Sequence, residues 1–180
     1  MSRAKSSKSR LRGLLGWLAA VLLALALGLA LRTWGAQAVR VAGTSMEPTL
    51  RDGELVLATR FDYLNADPAR GDVVLCRLPG RAGSYVKRVI GLPGETVQIR
   101  AGETYIDGLR LDEPYAALAD RDFETALGAD EYLVMGDNRP DSYDSREEDI
   151  GSLASSDFLG RVRRIIWPPE RFWTGVDLRK

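Results

Sequence analysis

The sequence predicts a mainly β protein, with a single N-terminal transmembrane helix followed by a barrel-like or sandwich-like β domain. Three observations predict it. Residues 13–31 form a long uncharged, apolar run. Beyond Gln37, apolar residues recur with period two, which is typical of strands and differs from the 3.6-residue period of a helix. Turn signals such as Leu92-Pro93-Gly94 and Asp107-Gly108 separate the apolar stretches.

The uncharged run at residues 13–31 has the length needed to cross a bilayer. At about 1.5 Å rise per residue, a helix of this length nearly matches a ~30 Å hydrocarbon core. Five basic residues precede the run, and only Arg32 and Arg40 follow it closely. Because positive charge favours the cytoplasmic side, we expect residues 1–12 in the cytoplasm, a transmembrane helix at 13–31, and an extracytoplasmic β domain at 32–180.

A cleavable signal peptide is the alternative interpretation of this N-terminus, since it shares the basic start and the apolar run. The run is longer than the ~7–15 residues of a signal-peptide core, and Arg32-Thr33-Trp34 is a poor cleavage site. The small residues at 35–38 are compatible with cleavage. Length and flanking residues favour an uncleaved anchor.

Short runs rich in Val, Ile, Leu and Tyr are predicted to be the strands of the exported part. Many short strands at close spacing are typical of an all-β barrel or sandwich. Residues 114–130 are Ala-rich and acidic, with weak helical character, and are predicted to form a surface excursion. The predicted strands are residues 38–41, 54–58, 72–78, 85–90, 95–100, 103–106, 131–135 and 160–167.

Composition limits the classes of partner and cofactor. The net charge is zero, so nothing indicates a nucleic-acid partner. Cys76 is the only cysteine and lies in an apolar run, which predicts a buried, inert thiol and no disulfide within the chain. With no histidine and one cysteine, the sequence predicts neither a soft-ligand metal site nor a cofactor.

Lysine occurs at only four positions, 5, 8, 87 and 180, whereas arginine is abundant. Arginine stays protonated in proteins, but a buried lysine can lose its proton and act as a base. Because the chain has no histidine, a general base near neutral pH would be a Lys, a carboxylate, a Tyr or a Cys. Lys87 is therefore a candidate for amine chemistry, and chance retention in an Arg-biased chain is the alternative.

Three clusters of polar residues are candidates for a site. Residues 43–50 place Ser45 on a loop after a predicted strand. Residues 85–95 include Lys87 on a strand, where Arg88 next to it points to the opposite face. Residues 135–146 are dense in charged, hydroxyl and turn residues. Each cluster also has an ordinary structural interpretation. Ser45 could be a turn residue bonded to nearby backbone, Lys87 a surface residue of an edge strand, and residues 135–146 a solvated loop.

Taken together, the clusters resemble a known family. TSMEPTL, RGDVVLCRLP, YVKRVIGLPGETV and MGDNRPDSYDSR stand in the order and approximate spacing of the motif boxes of bacterial type I signal peptidases, also called leader peptidases. The resemblance runs from about residue 39 to 167. It implies a signal-peptidase-type β domain and a Ser–Lys dyad. It further implies that the chain is a membrane-anchored serine endopeptidase. Such an enzyme removes N-terminal signal peptides from exported preproteins at the outer face of the bacterial plasma membrane.

The matching positions imply roles for individual residues. Ser45 would be the nucleophile and Lys87 the general base, with a neutral amine performing the task that His performs in a conventional triad. The amine's reference pKa of about 10.4 requires burial to lower it. Ser142 would orient the amine.

Four charged residues are implied to be supporting. The resemblance pairs Arg88 with Asp137 and Asp144 with Arg146, which would keep the last box against the lysine strand.

Gly43 stands where the best-known Gram-negative members have a hydroxyl residue that stabilises the oxyanion. As in the Gram-positive-like pattern, the backbone N–H of the nucleophile would then form the oxyanion hole, with or without a second backbone donor.

The implied substrate is a preprotein with small residues at positions −1 and −3 of the cleavage site, bound as an extended strand. Met46, Val86 and Val41 are predicted to line its pockets. The C-terminal aromatic residues Trp167, Phe172 and Trp173 are candidates either for contact with membrane lipid or for core packing.

Two other functional classes remain as alternatives. A specialised Ser–Lys protease, of the conjugation-type maturation or SOS-response repressor kind, is disfavoured by the predicted anchor and the intact GDNR box. A non-catalytic, membrane-anchored peptide-binding domain is disfavoured by the presence of both Ser45 and Lys87.

Overall fold

The computed structural model describes residues 16–26, 28–29, 35–63 and 66–176, and contacts divide the chain into two units, Met1–Gly35 and Ala36–Lys180. In the first unit, residues 16–26 and 28–29 are helical and exposed. Within the described ranges, no helix combines the length and apolarity required to traverse a membrane. Of the predicted anchor, residues 13–15, 27 and 30–31 lie outside the described residues, as does the predicted cytoplasmic stretch 1–12.

In the described part of the second unit, the strands form two antiparallel sheets. The larger has the order β1-β2-β10-β3-β4-β9 and the smaller has the order β7-β6-β5-β8. The strands of the larger sheet are β1 (Ala36–Arg40), β2 (Leu55–Thr59), β3 (Val73–Cys76), β4 (Tyr85–Gly91), β9 (Leu133–Met135) and β10 (Phe158–Trp167). Those of the smaller sheet are β5 (Thr96–Arg100), β6 (Glu103–Ile106), β7 (Leu109–Arg110) and β8 (Phe123–Ala126). Single turns of 3₁₀-helix lie at Phe61–Tyr63, Arg139–Asp141, Ser155–Asp157 and Pro169–Arg171.

The mainly β prediction is confirmed. All eight predicted strands occur, with ends that differ by no more than two residues. The helical interpretation of residues 114–130 is wrong, because Phe123–Ala126 forms β8 and pairs with β5. Pairing with β5 outweighs the weak local helix propensity of this segment. The two-residue strand β7 was not predicted either, since its only partner is β6 and so short a run carries no periodicity.

Burial follows the position of each strand in its sheet. Strand β2 alternates, with Val56 and Ala58 buried and their neighbours partly exposed. Strand β3 is buried at every position because it lies between β10 and β4. Cys76 at its end is buried, and its thiol contacts the Tyr85 carbonyl at 3.6 Å. The prediction of a buried cysteine is confirmed, and burial raises the pKa of this thiol to about 12.

The sheet order brings the three polar clusters together. Strand β4, which carries Lys87, lies between β3 and β9. Strand β9 ends at Met135, opposite Arg88, and the third cluster follows directly. The loop carrying Ser45 follows β1 and joins β1 to β2. These connections place Ser45, Lys87 and the third cluster at one site.

Candidate active site

The Lys87 amine lies between two hydroxyl groups. Its Nζ atom is 3.0 Å from Ser45 Oγ and 3.0 Å from Ser142 Oγ. Only 3% of Lys87 is exposed, although Ser45 and Ser142 are partly open to solvent. Burial lowers the pKa of the amine, and the Asp144 carboxylate opposes that shift. A buried amine beside an accessible hydroxyl has the arrangement that nucleophile activation requires.

Ser142 is oriented by the groups around its hydroxyl. The hydroxyl donates to Asp144 Oδ2 at 2.5 Å and accepts a hydrogen bond from the Gly136 backbone N–H at 3.1 Å. Since its single proton is given to Asp144, the Ser142 oxygen acts as an acceptor toward Lys87. A neutral amine that donates to Ser142 can direct its lone pair at Ser45.

The loop that presents Ser45 is fixed by its neighbours. Met46 and Leu50 are buried in the core, and the Leu50 N–H donates to the Met46 carbonyl at 2.8 Å. The Ser45 carbonyl accepts a hydrogen bond from the Asn138 N–H at 3.0 Å. Hydrophobic anchoring and a backbone bond to the third cluster therefore set the position of the serine.

Both ion pairs implied by the resemblance are present. Arg88 binds Asp137 in bidentate fashion, at 2.8 Å from Nε to Oδ1 and 2.7 Å from Nη2 to Oδ2. Arg146 binds Asp144 in the same way, at 2.8 Å and 2.9 Å. All four side chains are buried. These side chains cannot readily replace their hydrogen-bond partners with water, because they are buried. The two ion pairs therefore restrict the geometry around the Lys87 amine.

Burial disfavours ionisation of the Asp144 carboxyl, but hydrogen bonds outweigh it. The Arg146 guanidinium, with the Ser142 hydroxyl and the Gly136 N–H, holds the pKa of Asp144 below its usual range. Asp144 therefore remains a carboxylate and a hydrogen-bond acceptor for Ser142 at neutral pH.

Gly136 is a site residue that the sequence analysis did not single out. A Cβ atom at this position would lie 2.3 Å from Ser142 Oγ and 2.4 Å from the Ser45 carbonyl oxygen. Only glycine allows this backbone to pass between the two serines. The signal that was available is a glycine directly after a predicted strand, which often marks close backbone approach. Thr49 was also missed, and its hydroxyl donates to Asp137 Oδ2 at 2.5 Å.

Two residues before Ser45, Gly43 adopts a left-handed backbone with φ of +92°. Its N–H donates to Asp52 Oδ1 at 2.8 Å. The Thr44 hydroxyl donates to the Asp141 carboxylate. Neither the Gly43 N–H nor the Thr44 hydroxyl is therefore free to act as a second oxyanion donor in this conformation.

Cavities open on both sides of Ser45 and Lys87. One has a volume of about 140 Å³ and is lined by all three predicted pocket residues, Val41, Met46 and Val86. Val41 and Met46 are buried, while Val86 is half-buried. The other cavity is an open cleft bordered by Thr44, Asp141 and Ser142 among others. An extended chain passing Ser45 has space on either side of the hydroxyl.

The C-terminal aromatic residues lie on the surface. Trp167, Phe172 and Trp173 are exposed by 53%, 61% and 55%. The core-packing alternative is therefore wrong for these three rings. Ile165 on the same strand is fully buried, because it faces the core that β2 and β10 enclose.

Comparisons with known proteins agree on one family. Residues 14–167, which include all three clusters, match the family model described as signal peptidase, peptidase S26. Signal peptidase I of Bacillus amyloliquefaciens is 34% identical to the chain, over 93% of it and 96% of the relative. Signal peptidase I T of Bacillus subtilis is 34% identical, over 91% of each. The crystal structure of a signal peptidase I from Enterococcus faecalis is similar at 31% identity and a TM-score of 0.48, covering 53% of this chain and 97% of that one.

Proposed function

Since the chain belongs to the signal peptidase family, peptidase S26, we propose that Ser45 is its nucleophile and Lys87 its general base. As a member of that family, it is a serine endopeptidase that removes signal peptides from preproteins. The observation that carries the residue assignment is the 3.0 Å separation of Lys87 Nζ from Ser45 Oγ, with the amine buried.

In the first step, the neutral Lys87 amine takes the proton of the Ser45 hydroxyl while Ser45 Oγ attacks the scissile carbonyl. Burial supports this step because it lowers the pKa of the amine and so increases the fraction without a proton. Ser142 accepts a hydrogen bond from the amine, which leaves the lone pair directed at Ser45.

The tetrahedral oxyanion is stabilised by the Ser45 backbone N–H. This assignment follows from the geometry of a nucleophile whose own peptide N–H lies beside the developing charge. The neighbouring donors already have other acceptors, which supports this assignment. The Gly43 N–H donates to Asp52, and the Thr44 hydroxyl donates to Asp141.

The protonated Lys87 amine then returns its proton to the leaving amine, which departs as the N-terminus of the mature protein. An acyl-enzyme ester on Ser45 remains. Lys87 next takes a proton from water, the hydroxide attacks the ester, and the proton returns to Ser45 Oγ. One amine thus serves as base and acid in both halves of the reaction.

The substrate binds as an extended strand across the cavity bordered by Val41, Met46 and Val86. Alternate side chains of an extended peptide point the same way, so positions −1 and −3 face this cavity while position −2 faces away. The limited volume, about 140 Å³, and the apolar side chains of Val41, Met46 and Val86 favour small side chains at −1 and −3.

The enzyme acts as a single-pass protein of the bacterial plasma membrane, anchored by residues 13–31. The charge asymmetry around this run supports a cytoplasmic N-terminus. The exposed Trp167, Phe172 and Trp173 provide an aromatic surface suited to membrane lipid. Protease added outside intact spheroplasts is expected to degrade everything beyond about residue 33. Protection of the β domain until the membrane is broken would contradict this topology.

Cleavage of a preprotein by wild type and by Ser45→Ala tests the active-site assignment. Ser45→Ala is expected to bind the preprotein without cleaving it. Ser156→Ala, at an exposed serine away from the site, is the matched control and is expected to cleave like wild type. Equal cleavage by wild type and Ser45→Ala would show that Ser45 is not the nucleophile. Absence of cleavage by wild type, with peptide binding retained, would favour the non-catalytic alternative.

A further inference from the structure

The segment of residues 113–117, here called the strap, lies against the third polar cluster. It belongs to no helix or strand, yet the Ala117 N–H donates to the Asp137 carbonyl at 2.9 Å. Residues 114–130 were predicted to form a surface excursion, so these contacts were not expected. Asp137 follows Gly136, whose N–H bonds Ser142. The strap thus bonds the residue next to the one whose N–H orients Ser142.

Glu113 is connected to Gly136 through Arg139. The Glu113 carboxylate binds both terminal nitrogens of Arg139, one of them at 3.1 Å, and the two side chains are exposed by only 7% and 1%. Arg139 in turn donates from Nε to the Gly136 carbonyl at 2.9 Å. A buried bidentate pair fixes the plane of the guanidinium. Glu113, together with the Thr104 hydroxyl that accepts from Arg139 Nη1 at 2.8 Å, therefore sets where Arg139 holds the Gly136 carbonyl.

Tyr115 is connected to Asp137 through Arg88. Its ring centroid lies 4.0 Å from the Arg88 guanidinium carbon, a cation–π contact on the face of the group that binds Asp137. The Tyr115 hydroxyl donates to Glu113 Oε1 at 2.9 Å, which joins the two strap side chains. Burial, followed by the charge of Glu113, raises the pKa of Tyr115 above its usual range, so the hydroxyl keeps its proton and remains a donor.

One connection ends at the Gly136 carbonyl and the other at the carboxylate of the next residue, Asp137. We propose that Glu113 and Tyr115 are positioning residues that, through Arg139 and Arg88, hold Gly136 and Asp137 so that the Gly136 N–H orients the Ser142 hydroxyl toward the Lys87 amine. The proposal deepens the proposed function and rests on it. Neither strap side chain touches the substrate cavity beside Met46.

Loss of the strap contacts alters the surroundings of the Lys87 amine. If Gly136 shifts, Ser142 loses the Gly136 N–H as a hydrogen-bond donor and water reaches the amine. Hydration favours the charged form, so the pKa of the amine rises toward its ordinary value. The charged or titratable groups that face Lys87 from the surrounding elements are Asp144, Cys76, Arg146 and Asp137. The strap variants below leave all four in place.

The test is the pH dependence of preprotein cleavage by the full chain in detergent, with kcat and KM measured separately. Glu113→Gln removes the charge that binds Arg139 and nearly preserves shape. Tyr115→Phe keeps the ring over Arg88 and removes only the hydrogen bond to Glu113. Glu103→Gln is the matched control, because it makes the same chemical change at a partly exposed glutamate. That glutamate pairs with Arg110 in the smaller sheet.

For Glu113→Gln we expect kcat to fall at least about tenfold at neutral pH, with KM little changed. The acid limb of the profile should move to higher pH, and much of the activity should return in alkaline buffer as the amine loses its proton. Tyr115→Phe should shift the limb in the same direction by less, and Glu103→Gln should leave it in place. A merely structural role would lower the amount of folded enzyme without moving the limb.

An unshifted acid limb in folded Glu113→Gln overturns the proposal. If circular dichroism shows that Glu113→Gln does not fold, Tyr115→Phe decides, and an unshifted limb in that variant overturns it equally. Ser45→Ala, measured in parallel, separates the two proposals. Residual cleavage by Ser45→Ala would remove the proposed dyad itself, whereas an inactive Ser45→Ala with unshifted strap variants would remove only the positioning role.

Discussion

The Lys87 amine and the Ser142 hydroxyl lie 3.0 Å apart, and Ser142 is committed as an acceptor because its proton goes to Asp144. This relationship makes the orientation of the amine depend on a carboxylate that never touches it. Asp144 is itself held ionised by Arg146. The chain therefore uses a charged pair to orient the amine, while burial lowers the pKa of the amine.

Lys87→Arg is expected to abolish catalysis, although it preserves positive charge. A guanidinium cannot give up its proton and is bulkier than the amine it replaces. We expect Lys87→Arg and Ser45→Ala each to lose at least about a hundredfold in single-turnover cleavage. Because the two residues act as a unit, the double variant should be little worse than either single one.

Circular dichroism should show that these variants remain folded. Arg163→Lys is the matched control for a substitution between lysine and arginine, because Arg163 lies on the surface of β10. This variant should cleave normally. Near-wild-type cleavage by folded Lys87→Arg would show that Lys87 is not the general base.

Cleavage by wild type is expected to decline toward acid. Catalysis needs the neutral amine, so the rate falls as pH drops through the pKa of Lys87 in the folded enzyme. Burial lowers that pKa, and the acid limb should therefore lie well below the ~10.4 of an ordinary lysine. The measurement is kcat/KM against pH with a preprotein peptide that has no titrating group. An acid limb near the ordinary lysine value would contradict desolvation of the amine.

Lys87→Met is expected to increase stability, with a dependence on pH whose sign follows from linkage. Because the pKa of Lys87 is lowered on folding, the unfolded chain binds this proton more readily. As pH falls from about 10.4 to the lowered pKa, wild type loses stability. The non-titrating variant should gain relative to wild type across that window and keep a constant advantage below it. Urea unfolding at several pH values measures this difference, and a difference independent of pH would refute it.

Gly136→Ala is expected to be both inactive and less stable. The added methyl would lie 2.3 Å from Ser142 Oγ and 2.4 Å from the Ser45 carbonyl oxygen, so the backbone must move. Overpacking of this kind typically costs about 1–3 kcal/mol. Gly128→Ala is the matched control, because its methyl meets only the flexible Glu131 side chain, at 3.3 Å. Thermal unfolding and cleavage assays should separate the two, and equal behaviour would show that the close approach is unimportant.

Substrate choice is expected to follow the alternation of an extended chain. Replacing Ala at −1 of a cleaved preprotein by Phe or Trp should abolish processing, since that side chain enters the cavity beside Met46. The same change at −2 should be tolerated, because that side chain points away. Processing of a matched pair of preproteins measures this. Equal sensitivity at −1 and −2 would rule out extended binding.

Much of the local structure was predictable because it depends on the immediate sequence. Period-two patterns located eight of the ten strands in the described part of the chain, and Cys76 was recognised as buried from its apolar neighbours. The rarity of lysine drew attention to Lys87 before any geometry was known. The strand at Phe123–Ala126 was missed because its stability comes from pairing with Thr96–Arg100, which lies elsewhere in the chain.

By itself, then, the sequence determined the chemical groups and their order along the chain: a serine on a loop, a single lysine on a strand, and a polar segment after the last short strand. The tertiary structure alone decided how these groups meet. The 3.0 Å contacts of Lys87, the close approach at Gly136 and the contacts of Glu113 with Arg139 all join residues through sheet pairing and loop packing. Propensity and periodicity act over a few neighbouring residues, whereas burial and hydrogen bonding between distant segments exist only once the sheets have formed.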